Sequence, residues 1–369
     1  MSADGTAADR RAAVEAAAEE LTGPQPEAAP SLGGRLASPR TVLSLAVALG
    51  LLGYFLHRQG PETLAASWAQ IRGADPLVYL AALGAYYLAF PIRAARWRIL
   101  LSNSGEPPER VPRLADLAEI IYLSWFANSV VPAKLGDVYR GWLLRRTGGV
   151  RWSHAMGTIV AERVLDVIVL VSLMVVTGFL TYGDVLRDAV EGGPIACLES
   201  GLHPGALSCT LLQLFAVGGA VVLVLLGGLV VFARFGAHLE RFLPTRLGVV
   251  YVRFADALVL SFGRFGWLLA LSALAWAAEA ACFWLVGRAL GHPLPLALVV
   301  FFSLLQAFIT VIPLTPGGLG FEPVLAGALR LRGFDPAAAL AMVVLYRTIS
   351  YFSLVIGGAV LYAQSPRTK

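Results

Sequence analysis

Lysine is almost missing from this chain. Of 369 residues only Lys134 and Lys369 are lysine, so arginine supplies nearly all of the positive charge. Charge of either sign is scarce, at 14% of residues against 57% hydrophobic, and the mean hydropathy is +0.70. Those values exclude a water-soluble globular domain and identify a membrane protein. The net charge of +5 is modest, and no nucleic-acid partner is expected. Cysteine is sparse as well: Cys197 and Cys209 share one polar loop, where a disulfide and two unrelated thiols are both open readings, and Cys282 stands apart. The five histidines fall in loops or at the ends of apolar runs, without metal-ligand spacing. That pattern argues against a histidine zinc site or an intramembrane histidine proton relay, and no cofactor, metal or catalytic residue is expected.

Long apolar runs are what the chain has instead. Residues 1–40, rich in Ala, Glu, Pro, Gly and Arg, read as a disordered tail, and 364–369 as a short C-terminal tail. A membrane domain is expected between them, over 41–363, with spans at 41–56, 77–92, 153–182, 211–233, 265–290 and 336–363. Two further apolar stretches, 114–131 and 295–313, end in the Pro/Gly-rich turns "VVPAKLGD" and "VIPLTPGGLGFE". Each turn leads into a helical segment too short to cross a hydrocarbon core of ~30 Å at 1.5 Å per residue. Both stretches read as re-entrant hairpins. The expected fold is therefore all-α and polytopic, with about six transmembrane helices and two re-entrant hairpins.

Arginine placement orients that fold. Arg93, Arg96, Arg98, Arg110 and Arg113 precede the first hairpin and Arg145, Arg146 and Arg151 follow it, which marks their face as cytoplasmic. Within that set, "RAARWR" at 93–98 reads as an interface anchor with Trp97 among headgroups. Loop 183–210, with acidic residues predominating, suits the outside. The amphipathic stretch 234–264 reads as lying along the inner interface. Six spans put both termini inside. Trp276 and Phe283 read as packing or lipid-facing aromatics.

The chain also repeats itself. Pro316 lies 184 residues after Pro132, and at the same offset Leu135 meets Leu319, Gly136 meets Gly320, Gly149 meets Gly333 and Arg163 meets Arg347. With three spans between the hairpins, the second enters from the face opposite the first. The result is an inverted repeat with halves at about 77–182 and 265–363, an arrangement characteristic of transporters. Irregular backbone at membrane depth is tolerated only where protein or a wet cavity satisfies it. Pro132 and Gly136, like Pro313, Pro316, Gly317, Gly318 and Gly320, therefore point to a cavity, with the prolines as turns.

"NSVVPAKLGDVYR", "ERVLD" and "IPLTPGGLGFE" together resemble the membrane domain of the lysylphosphatidylglycerol synthase/flippase family. The family's pattern is an Asn and a Pro before a Gly-acid-x-x-Arg turn, then Glu-Arg-x-x-Asp, then a Pro/Gly turn ending in Glu. The resemblance covers about residues 41–363, and the chain ends at Lys369 without the family's soluble aminoacyl-transferring domain. It implies the lipid-moving part without lysyl transfer.

Arg163 and Arg347 sit deep in their spans, where an isolated charge costs roughly 2.5–3.5 kcal/mol. Both need partners or water. The candidate network is Glu162, Arg163 and Asp166 with Arg140 or Asp137 across the cavity. Two readings stand side by side: ion pairs that hold the bundle, and groups that meet substrate. For the turns, one reading aims the helix N-termini at Gly136 and Gly320, with their free amides, at a phosphate, aided by Lys134, Arg140, Arg163 and Arg347. The other needs glycine only for close packing. Asn128 ends the first hairpin helix, and Glu322 reads as a cap or a coupling-proton site. The expectation is a cell-membrane flippase that moves an anionic phospholipid or a polyprenyl-phosphate-linked lipid between leaflets by alternating access. Its rivals are an enzyme acting on lipid phosphates and an accessory subunit for lipid-linked glycans.

Overall fold

The computed structural model describes residues 38–131, 135–191, 245–311 and 315–368, with isolated positions between 216 and 234. All elements among them are helical. Helix α1 spans Pro39–Arg72, α2 Pro76–Asn103, α3 Leu114–Val130, α4 Leu135–Gly148, α5 Trp152–Glu191, α6 Thr245–Leu260, α7 Phe265–Ala289, α8 Leu296–Val311, α9 Glu322–Leu331, α10 Pro336–Arg347 and α11 Leu354–Gln364. Between α10 and α11 the chain stays helical through a π-turn at Thr348–Ser353. Among the described residues five helices are long and apolar enough to cross a membrane: Thr41–Arg72, Pro76–Asn103, Trp152–Gly183, Phe265–Ala289 and Pro336–Gln364. The chain is thus a multi-pass helical membrane protein.

Local signals start these helices. Asp75 and Asp335 each precede a proline in the first turn, and each side chain accepts the next two free backbone amides, Leu77 and Val78 in α2, Ala337 and Ala338 in α10. Two expected spans prove longer. The first runs on to Arg72 through a kink at Gly60 (φ 79°), where Pro61 follows and removes an amide. The second runs on to Asn103 and carries Arg93, Arg96 and Trp97 of "RAARWR" inside the bundle while Arg98 stays exposed, so the interface-anchor reading is corrected for those three. Arg93 and Arg96 are buried and Trp97 has no exposed surface, because acidic partners from other helices meet the arginines there. The 211–233 span, the 183–210 loop beyond Glu191, and Cys197 and Cys209 lie outside the described residues.

Contacts sort the helix ends into two sets. At one end Asn103 of α2 donates to Ser261 O and Gly263 O before α7. Gly148 at the close of α4 abuts Arg110 O and Pro112 ahead of α3, and Arg367 beyond α11 pairs with Asp116 and Glu119 of α3. At the other end Asp75 N donates to Ala289 O at 2.8 Å, Ser67 Oγ to Ala337 O at 3.0 Å, and the His292 ring before α8 lies 6.0 Å from that of Phe334 after α9. The start of α3 thus lies beside the end of α4, and the start of α8 beside the end of α9. Helix α6 packs on α5 where Gly157 lets Phe254, Ala257 and Leu258 approach.

Glu106 clamps the connection after α2. Its carboxylate lies 3.1 Å from Arg151 Nε and 3.0 Å from His154 Nδ1. Burial pushes this carboxyl up, but His154 and Arg151 outweigh burial and hold it below its ordinary range. A carboxyl depressed in the fold stabilises at neutral pH, and that stabilisation is lost as pH falls through the folded value, below the usual ~4.3 of glutamate. Melting of detergent-solubilised protein should therefore drop on acidification. In Glu106→Gln the neutral-pH stability should be lower by about 1 kcal/mol and that part of the acid slope should vanish.

Candidate functional site

Helices α2, α3, α4, α5, α7, α8 and α10 surround a cavity of about 350 Å³ where the two Pro/Gly turns meet. Tyr351 of the π-turn joins the turns. Its hydroxyl donates to Ser129 O at 3.1 Å, and its ring fills the space that a Cβ on Gly317 (φ 57°) would need. Pro132, Lys134 and Pro313 lie outside the described residues, while Pro316 is buried in a 3-10 turn, Pro316–Gly318.

The charges around the cavity form pairs. Arg163 of α5 binds Asp137 of α4 through two hydrogen bonds, 3.1 and 3.0 Å, and reaches Asp166 at 3.7 Å. Arg140 binds Glu162 bidentately at 3.0 and 2.8 Å and stacks 3.7 Å over the Trp97 ring. The expected network of Asp137, Arg140, Glu162, Arg163 and Asp166 is thus brought together. In the second half Arg347 binds Glu322 at 3.0 Å, Gly317 O at 3.1 Å, and Gly318 O. Each arginine of the repeated pair, Arg163 and Arg347, engages the acid in the first turn of the short helix that precedes it.

Sequence reasoning missed three members. Arg96 of α2 has no exposed surface and binds Asp166 at 2.5 and 3.0 Å, Ser272 at 2.8 Å and Glu162 at 3.3 Å. Arg93, one turn earlier, binds Glu279 of α7 at 2.5 Å, lies 4.0 Å from Asp166, and stands over the rings of Trp125 and Trp276 at 5.0 and 5.1 Å. Trp276 packs in the core, as read from the sequence, and also lines the cavity, while Phe283 packs stacked 3.8 Å from Phe302. The available signals were Glu279 as a lone carboxylate in an apolar helix and the spacing of Arg93 and Arg96 on one face of α2.

One expectation is overturned. The Gly136 amide donates to Asn128 Oδ1 at 2.8 Å and the Gly320 amide to Glu322 Oε2 at 2.7 Å, so neither is free for a phosphate. Asn128 caps the first turn of α4, while Glu322 holds the turn that precedes its own helix. Close packing explains the glycine at 136, where a Cβ would strike Ser124 O and Asn128. Of the remaining expected residues, Asn128, Asp137, Arg163, Asp166, Gly317 and Arg347 line the cavity, while Gly136, Arg140, Glu162, Gly318, Gly320 and Glu322 stand behind it.

Four buried polar atoms at the wall have no hydrogen-bond partner among the described residues: Gln306 Oε1, Trp276 Nε1, Ser350 Oγ and Thr315 Oγ1. An unmade hydrogen bond in such a place costs about 1–3 kcal/mol. The site is thus a polar, charge-lined chamber inside a multi-pass helical bundle.

Comparison with known proteins gives the family. The profile described as "Lysylphosphatidylglycerol synthase TM region" matches residues 41–358, and the chain belongs to that family, a flippase-like membrane family. It is similar to "UPF0104 membrane protein MJ1078" of Methanocaldococcus jannaschii, 30% identical over 243 residues that make up 64% of this chain and 93% of the relative. It is also similar to "Glycosyltransferase AglD" of Haloferax volcanii, 26% identical over 315 residues, 77% of this chain but only 48% of that protein. No solved structure matches.

Proposed function

We propose that this protein moves an anionic lipid, a phospholipid or a polyprenyl-phosphate-linked lipid, between leaflets by alternating access, and that it does so without catalysing a reaction. The observation that carries this reading is the chamber itself: three arginines, Arg93, Arg163 and Arg347, line it together with polar atoms that have no partner among the described residues. Guanidinium groups match phosphate oxygens in geometry and charge. Of the three, Arg163 has the most open side chain, at 31% exposed, and is the first contact for a headgroup.

Alternating access needs two gates on opposite faces. The α3–α4 and α8–α9 pairs, read as re-entrant hairpins of an inverted repeat, supply them, since each returns to its own end of the bundle. By the positive-inside rule, Arg110, Arg145, Arg146 and Arg367 near the α3 end support reading that end, and both termini, as cytoplasmic. Asn128, Asp137, Asp166 and Gly317 complete the substrate-facing wall. Arg140, Glu162, Gly318, Gly320 and Glu322 position it.

Reconstitution tests this. Purified protein in phosphatidylcholine liposomes should move a fluorescent phosphatidylglycerol or isoprenoid phosphate across the bilayer. Absence of movement under every imposed ion gradient would remove the transport claim. A second reading, an enzyme acting on lipid phosphates, draws on the relative named a glycosyltransferase. Product formed from a nucleotide sugar by the purified chain would favour it.

A further inference from the structure

The charges of the chamber and its backing shell cancel. Arg93, Arg96, Arg140, Arg163 and Arg347 face Asp137, Glu162, Asp166, Glu279 and Glu322 in contacts between 2.5 and 4.0 Å. Among the described residues, five positive and five negative groups leave no net charge to receive an anion. A phosphodiester entering such a site brings an uncompensated negative charge into a poorly solvated space, which is costly unless a counter-charge arrives with it.

The carboxylates differ in how firmly they are held. Glu162, Asp166 and Asp137 each accept a bidentate arginine, and Glu322 takes Arg347 together with the Gly320 amide. Glu279 has a single partner among the described residues, Arg93, and it lines the chamber. Releasing it breaks one bond. The freed guanidinium stays between Trp125 and Trp276 at the chamber wall, where a phosphate oxygen can replace the carboxylate oxygen. Facing Glu279 are Tyr86 of α2, Tyr346 of α10 and Cys282 on its own helix, and Arg163 and Asp166 of α5, Asp137 of α4 and Arg347 of α10 share its chamber, while α8 presents none.

We propose that Glu279 is the coupling site of this chamber: one proton binds its carboxylate for each singly charged headgroup that takes its place on Arg93. This rests on the anionic-lipid reading above. The proton comes from chamber water and leaves to water when the lipid departs, and the carboxylate then returns to Arg93. No bond within the lipid forms or breaks. Each proton–anion pair is neutral, so movement of a monoanionic lipid follows a pH gradient and ignores membrane potential.

Binding measured apart from transport tests it. Full-length protein in weakly buffered detergent is titrated with dihexanoyl phosphatidylglycerol while a pH-indicator dye reports protons. Expected are an uptake of about one proton per lipid bound, an affinity that weakens about tenfold per unit rise in pH, and a protonated-carboxyl band in the lipid-induced infrared difference spectrum. Glu279→Gln should bind with no pH slope, no uptake and no such band. Binding without proton uptake, uptake unchanged in Glu279→Gln, or affinity that tracks sodium or potassium instead of pH would each overturn the proposal. If Glu279→Gln does not fold, a flat wild-type slope or a missing band overturns it equally. Lipid bound with proton uptake but never moved in proteoliposomes would remove the flippase reading and leave the coupling standing; no binding at all would remove both.

Discussion

Replacing Arg96 with alanine will destabilise the folded protein by about 3–5 kcal/mol, the usual consequence of removing one member of a buried ion pair. The expectation follows from geometry. Arg96 has no exposed surface, and its guanidinium ties Asp166 and Glu162 of α5 to Ser272 of α7. Without it only Arg93 ties α2 to the acids of α5 and α7, and Asp166 loses its bidentate partner in a space that water enters poorly. Thermal unfolding and size-exclusion behaviour in detergent should register this as loss of the monodisperse species. Arg96→Lys should recover little, because a single ammonium cannot make the bidentate contact to Asp166 and still reach Ser272. Removing both members, Arg96→Met with Asp166→Leu, should cost clearly less than the two single changes together, since neither then strands the other. Near-additive costs would mean that the pair is not coupled.

How much of this was legible in the sequence depends on whether the signal was local. The paired short helices were, since the apolar stretches 114–131 and 295–313 correspond to Leu114–Val130 and Leu296–Val311, bounded by proline and glycine that no continuing helix tolerates. So was the Arg163 network, because Glu162, Arg163 and Asp166 share one helix. Arg93 and Arg96 were not. Counting arginines marks the edge of a span, and the rule fails where partners neutralise the charge. Those partners, Asp166 and Glu279, lie 70 and 186 residues away in the chain, so no window of sequence contains a pair. Glu279 itself was visible as a lone acid in an apolar run. What it lacked was a partner within reach by helical spacing. The free-amide reading of the turns failed for a related reason: Asn128 was seen as the end of one helix, and only the fold brings its side chain to Gly136 of the next.

The repeat also predicts a contrast that sequence symmetry conceals. Arg163 and Arg347 lie 184 residues apart, the offset that also relates Gly136 to Gly320, yet Arg163 is 31% exposed by side chain and Arg347 only 5%. Arg347→Gln should therefore be mainly a folding defect, about 3–5 kcal/mol by thermal unfolding, because it strands buried Glu322 and releases the carbonyls of Gly317 and Gly318 that hold the second turn. Arg163→Gln should cost less stability than Arg347→Gln, since its side chain and that of Asp137 are more open to the chamber. Its effect should fall on the lipid instead: loss of the most accessible cation should weaken binding of dihexanoyl phosphatidylglycerol about tenfold, or about 1.4 kcal/mol. The discriminating quantity is the ratio of lost affinity to lost stability in the two variants. A purely structural network would give Arg163→Gln little effect on either, whereas a headgroup held between the two halves requires the more exposed arginine to matter most for the ligand and the more buried one for the fold.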